Sequence, residues 1–131
     1  MTIQMAWTDD GQSIILLEFI EEWGLDEFDS AINRLAHMVK SVNQSVSIIA
    51  DFRNSGPLPV DILFHSRRAL SIAPDNWRET VIVTHNAFIV DIFSIVTKVY
   101  KGARNKLFFV GSIEDAEAFI MSRRARGKEA I

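Results

Sequence analysis

One set of residues in the chain has the types needed to hold a phosphoryl group. Asp51 ends an apolar run, Thr84 ends another, Lys106 opens a third, and Asp9 and Asp10 stand together near the start. An acidic pair beside a phosphoacceptor aspartate can bind a divalent cation, while a hydroxyl and an ammonium hold the phosphoryl oxygens. The spacing defeats the set. Asp9 and Asp10 fall in "TDDGQ" (Thr8 to Gln12), a turn that joins two strands with no helix between them. Lys106 begins its strand, which puts its ammonium at the opposite sheet edge from Asp51. Metal chemistry would rest on His37, His65 and His85. His37 lies within a helical pattern, and neither of the others has a ligand partner at i+3 or i+4. No cysteine is present and no Gly-x-Ser-x-Gly elbow occurs, so a nucleophile with its base is not expected either. The expectation is a protein without catalytic residues, metal or cofactor.

What remains around Asp51 is "IIADFRNSGPLPVD", Ile48 to Asp61. Asp51, Arg53, Asn54, Ser55 and Asp61 form a candidate recognition loop, and His65, Arg67 and Arg68 in the following helix are candidate anion contacts. Strand carboxyl ends beside a helix N-terminus make a ready anion site. Against it, Arg67 and Arg68 fall two turns into the helix, and the prolines of "GPLP" remove the N–H donors a phosphate cradle needs.

The elements that must position these residues are legible from periodicity. Ile3, Met5 and Trp7 alternate with polar or small residues, and "SIILLEFI" (Ser13 to Ile20) follows the turn, which predicts an antiparallel hairpin. From Leu25 the period changes: Leu25, Phe28, Ile32, Leu35, Ala36 and Val39 predict an amphipathic helix of about four turns. "SVSIIADF" reads as a buried strand, Val60 to Ala73 as a helix stopped by Pro74, and "ETVIVTH" as a strand. Ala87 to Tyr100 reads as a helix closed by Lys98, Lys101 and Gly102, and "KLFFVGS" as the last strand. Ser112 and Asp115 approximate a capping box before the closing helix.

The fold class is therefore α/β, with order β-β-α-β-α-β-α-β-α and a mixed, mostly parallel sheet edged by the hairpin. At 131 residues the chain is one domain, able to bury about two-thirds of its unfolded surface. Hydrophobic residues make up 48%, charged residues 24%, and the net charge is -3, values that exclude a disordered chain and a strong polyanion binder. No signal peptide or membrane span is read, so a cytoplasmic location is expected. The basic end "RRARGKEAI", from about Arg123, reads as a frayed, solubilising helix end and not as a contact for nucleic acid or an acidic membrane surface.

This order and several residues resemble the STAS domain superfamily, in its SpoIIAA-like branch. The resemblance is carried by Trp23 ahead of "DEFDSAINRL", the Asp-ending "IIADF", the apolar "TVIVT" and the closing "FFVGSIEDAEAFI". Ser112, Glu114, Asp115 and Ala116 stand where that branch has Ser-x-Glu-Glu-Ala. It covers nearly the whole chain and implies a non-enzymatic regulatory or protein-interaction module. Anti-sigma-factor antagonists of the superfamily carry a phosphorylatable serine at the start of the helix after the third strand. The matching distance past Asp51 reaches Pro59, Val60 and Asp61, and Ser55 comes too early, so that switch is not carried over. Asp61 is expected to cap the helix with its side chain, the alternative being a fixed charge in place of a phosphoserine.

The third helix, "AFIVDIFSIVTKVYKG", has two apolar stripes, Phe88, Ile92, Ile95, Val99 and Ile89, Phe93, Val96, Tyr100. Only Asp91, Ser94 and Lys98 are polar on a narrow face. One stripe suffices for packing on a sheet, so the excess must meet neighbouring helices, a second subunit or an apolar ligand. An apolar ligand is also what the resemblance implies, since SpoIIAA-like folds resemble the lipid-carrying Sec14-type domain. The contact surface is expected at Phe88, Ile89, Phe93, Val96 and Tyr100, with a protein partner or a second copy as occupant and an apolar or lipid-like molecule as the alternative.

Overall fold

The computed structural model describes residues 2–100 and 106–129. Its elements are β1 (Ile3–Trp7), β2 (Ile14–Phe19), α1 (Leu25–Lys40), β3 (Val46–Asp51), α2 (Ile62–Ile72), β4 (Trp77–Val83), α3 (Ala87–Val99), β5 (Leu107–Val110) and α4 (Ile113–Glu129). The sheet order is β1-β2-β3-β4-β5, with β1 antiparallel to β2 and every later pairing parallel. This is the order and class that the sequence predicts.

The sequential order has a consequence for the layers. Each parallel crossover advances the sheet in the same direction, and right-handed crossovers then place α1, α2 and α3 on one face. The packing agrees. Ile3, Ile15, Leu17, Ile48 and Ile82 meet residues of those three helices, whereas Ile14, Ile49, Val81 and Val83 meet Ala116 and Ile120 of α4. All six residues of β3 are buried because both of its faces are covered. Among the described residues no helix is long and apolar enough to cross a membrane.

Local chemistry sets the boundaries. β4 opens at Trp77, two residues ahead of the expected Glu79, because Asn76 Nδ2 anchors that entry to the carbonyls of Val39, Val42 and Gln44. α2 ends at Ile72, ahead of Pro74. Asn86 accepts a hydrogen bond from the Phe88 N–H at 2.9 Å and caps α3. Ser112 Oγ accepts from the Asp115 N–H at 3.0 Å, the forward half of the predicted capping box. Lys101 and Gly102, the expected closing signals of α3, lie outside the described residues.

The basic end does not begin to fray at Arg123. Helix α4 runs to Glu129, residues 130 and 131 lie outside the described part, and two of the arginines are bound. Glu79, 1% exposed, accepts from Ser47 Oγ and from Arg123 Nε at 3.0 Å. Arg123 also lies 4.7 Å from the ring centre of Phe108. Arg124 donates to the Ser13 carbonyl at 2.9 Å and to Ser13 Oγ at 3.0 Å. Ser13 in turn binds Asp9, which also accepts the Ser13 and Ile14 N–H groups. A polar chain thus ties α4 to β4, β3 and the hairpin turn, and Asp9 serves that turn.

Candidate functional site

Asp51 stands at the carboxyl end of β3 and is 3% exposed. Both of its oxygens are taken by Arg53. The backbone N–H and Nε donate to Oδ1 at 3.0 Å each, and a terminal guanidinium nitrogen donates to Oδ2 at 3.0 Å. Burial works against the carboxylate charge. The side-chain hydrogen bond from Arg53, its backbone hydrogen bond and its charge outweigh that and hold the Asp51 carboxyl below its ordinary value of 3.8. Stability from this pair is complete above 3.8 and is lost as pH falls through the lower folded value. Asp51→Asn is therefore expected to flatten the fall of unfolding free energy below pH about 4, read by denaturant titrations across pH. An unchanged acid slope would contradict the pairing.

The rest of the loop is bolted to the segment that joins β2 to α1. Glu21 N–H donates to the Asn54 carbonyl at 2.9 Å, and Gly56 N–H to the Glu21 carbonyl at 2.7 Å. Ser55 Oγ accepts from Trp23 Nε1 at 2.8 Å and donates to the Gly56 carbonyl at 2.9 Å. A Cβ on Gly56 would stand 3.0 Å from the Glu21 carbonyl oxygen, so any larger residue would press the Glu21 backbone back by a few tenths of an ångström. Beneath the loop, Phe52 stacks on Phe19 at 4.1 Å and tilts against Phe93 at 5.4 Å. Asp61 does not cap α2 with its side chain. It takes a left-handed conformation, φ 72°, and its carbonyl accepts the N–H groups of Phe64 and His65, so the helix starts at Ile62 and not at Val60.

A cleft of about 250 Å³ lies between this loop and the start of α3, lined by Phe52, Arg53, Ser55, Thr84, His85 and Asn86. Most of its polar groups are already engaged. Arg53 and Ser55 are held as above, Thr84 Oγ1 accepts from the Asn86 N–H at 3.1 Å, and Asn86 caps α3. The strand order never reverses between β2 and β5, so the sheet lacks the switch point at which open α/β sheets form a ligand crevice. The phosphoryl-type set is split: Thr84 follows Val83, the partner of Asp51, but Asp9 lies in the hairpin turn and Lys106 level with the entry to β5, at the opposite sheet edge.

The candidate anion contacts do not converge either. His65 Nδ1 meets Asp29 of α1 at 2.8 Å, Arg68 donates to Asn33 Oδ1 at 3.0 Å, and Arg67 lies 5.4 Å from the ring centre of Tyr100. These contacts join α2 to its neighbours and do not gather the three side chains into one site. Among the described residues no group of three His, Asp or Glu side chains is placed to hold a metal ion.

α3 divides its two stripes differently from the expected contact surface. Ile89, Phe93 and Val96 are 4%, 6% and 0% exposed and belong to the core under the helix, so they cannot meet a protein partner. Phe93 and Val96 instead line a cavity between sheet and helices. Tyr100 is half-buried. The exposed stripe is the other one: Phe88 at 60%, Ile95 at 41% and Val99 at 61%, with half-buried Ile92 between them. The signal was in the sequence. At 100° per residue, Ile89, Phe93 and Val96 lie opposite Asp91, Ser94 and Lys98, while the Phe88 stripe lies only about 100° from that polar side. Helix α1 packs on α2 and α2 on α3, and the sheet ends at β5 beneath α3.

Comparison of the chain with protein-family models gives no match, and comparison with curated proteins gives none.

Proposed function

We propose that the protein is a non-catalytic, cytoplasmic regulatory or protein-interaction module of SpoIIAA-like type that meets a second copy of itself through the outer stripe of α3. The observation that carries this is the grouping of exposed apolar side chains. Of the six large ones exposed among the described residues, Phe88, Ile95 and Val99 share one narrow stripe of one helix. Scattered single residues need no explanation, whereas a row of this kind does.

The stripe is self-complementary. In an antiparallel two-fold pairing, Phe88 stands over Val99 of the partner subunit and Ile92 over Ile95 of the partner subunit. Asp91 and Lys98 share a shoulder of the helix, and the same two-fold brings Asp91 towards Lys98 of the partner subunit, twice over. The element order and the mixed sheet support the SpoIIAA-like reading. The loop from Arg53 to Asp61 then acts as a rigid shoulder of the fold. Asp61, exposed and free of a capping role in its side chain, offers a fixed charge at the start of α2 in place of a switchable serine.

The chain has no cysteine, so a single one can report the contact. Ile95→Cys treated with a short bismaleimide is expected to give a covalent dimer, and His37→Cys, exposed on α1, is not. Equal yields from the two, or none from Ile95→Cys, would count against the antiparallel pair.

A further inference from the structure

The cavity that Phe93 and Val96 line lies between the sheet and helices α1, α2 and α3, and its volume is about 90 Å³. Leu17, Leu35, Ile48 and Ala69 are among its apolar walls. One polar group on that lining stands out. Ser66, in α2, is 7% exposed, and its Oγ has no hydrogen-bond partner among the described residues. Other hydroxyls in these helices do find one: Ser71 Oγ donates to the Arg68 carbonyl at 2.7 Å, and Thr97 Oγ1 to the Ser94 carbonyl at 2.7 Å. Thr80, also on the cavity lining, has its Oγ1 taken by Trp77 Nε1 at 2.9 Å. A buried hydroxyl without a partner costs stability, and native folds rarely keep one without a use.

We propose that this cavity is a binding site for a small, mostly apolar molecule carrying one hydroxyl, of phenol size, with Ser66 Oγ as its single hydrogen-bond partner. Volume and polarity select that class. The polar residues of the lining are Ser66, Thr80 and the exposed Lys106, and Ser66 Oγ is the buried side-chain atom without a partner, against the two to four polar partners a buried water needs. A dry engineered cavity of about 150 Å³ takes up benzene, so about 90 Å³ with slight adjustment suits a single ring or a short chain. It falls well below the roughly 300–1,000 Å³ of pockets for drug-sized ligands, so an acyl-chain lipid does not fit. This site is separate from the α3 stripe and stands or falls independently of the self-association proposed above.

The test uses phenol and benzene as probes, followed by amide chemical shifts of the full chain. Phenol is expected to saturate shifts in residues around the cavity at concentrations of about 1 mM, and benzene to bind more weakly. In Ser66→Ala the affinity for phenol should drop about tenfold towards that of benzene, while benzene binding is unchanged. Ser66→Ala should also raise the melting temperature by about 4 °C, because it removes the orphaned hydroxyl. Ala69→Leu, which fills the cavity from α2, should abolish both. Absence of saturable shifts with phenol, or equal phenol binding by wild type and Ser66→Ala, would overturn the proposal. If Ala69→Leu fails to fold, the Ser66→Ala comparison decides alone.

Discussion

Arg123→Ala is expected to lower the unfolding free energy by about 3 kcal/mol, because it strips the closest cation from a buried carboxylate. Glu79 is 1% exposed, and Arg123 Nε is 3.0 Å from its Oε2. Arg78 stands at 3.6 Å from the same oxygen and stays in the variant, which keeps the loss at the lower end of the range of about 3–5 kcal/mol for broken buried pairs. The loss should appear in urea unfolding at neutral pH as a lower midpoint with an unchanged slope. The double replacement Glu79→Leu with Arg123→Leu should recover most of it, since an apolar pair of similar volume removes both charges together. A loss below about 1 kcal/mol for Arg123→Ala would mean that the pair is a solvated surface contact. It would also return the basic end of α4 to the solubilising role its composition suggests.

The second large effect separates the two stripes of α3. Phe93→Ala removes a ring that is 6% exposed and packed 5.4 Å from Phe52, and it enlarges a cavity that already exists. The expected loss is about 3–5 kcal/mol. Phe88→Ala, on a ring that is 60% exposed, should change stability by less than about 0.5 kcal/mol. Denaturant unfolding of the two variants side by side reads the contrast. Similar losses would show that the outer stripe is packed against the fold, and the contact surface would have to be sought elsewhere.

These cases also show what the residues disclose by themselves. The change of apolar period from two to three-and-four at Leu25 is strong enough to fix the succession of strands and helices. Ser112 marks the start of α4 because its hydroxyl answers a local N–H, a partner three residues away. Glu79 is different. In "ETVIVTH" it reads as the polar entry to a strand, and its burial depends on Arg123, 44 residues further on, in a stretch whose composition suggests a solvated tail. His65, Arg67 and Arg68 look like an anion site for the same reason, since Asp29 and Asn33 come from α1 and Tyr100 from the residue that follows α3. Charge pairing across elements leaves no periodic trace. Asp61 shows a third limit, in which a residue suited to side-chain capping takes the left-handed turn instead.

The most direct measurement of the proposed role is sedimentation velocity of the wild type and of Val99→Asp and Phe88→Asp. The runs should span roughly 1 to 500 µM, the range in which an interface of this small size associates. The wild type is predicted to shift from monomer to dimer as concentration rises, and both variants to stay monomeric with wild-type circular dichroism. A wild type that remains monomeric throughout, or variants that dimerise as it does, would contradict the account.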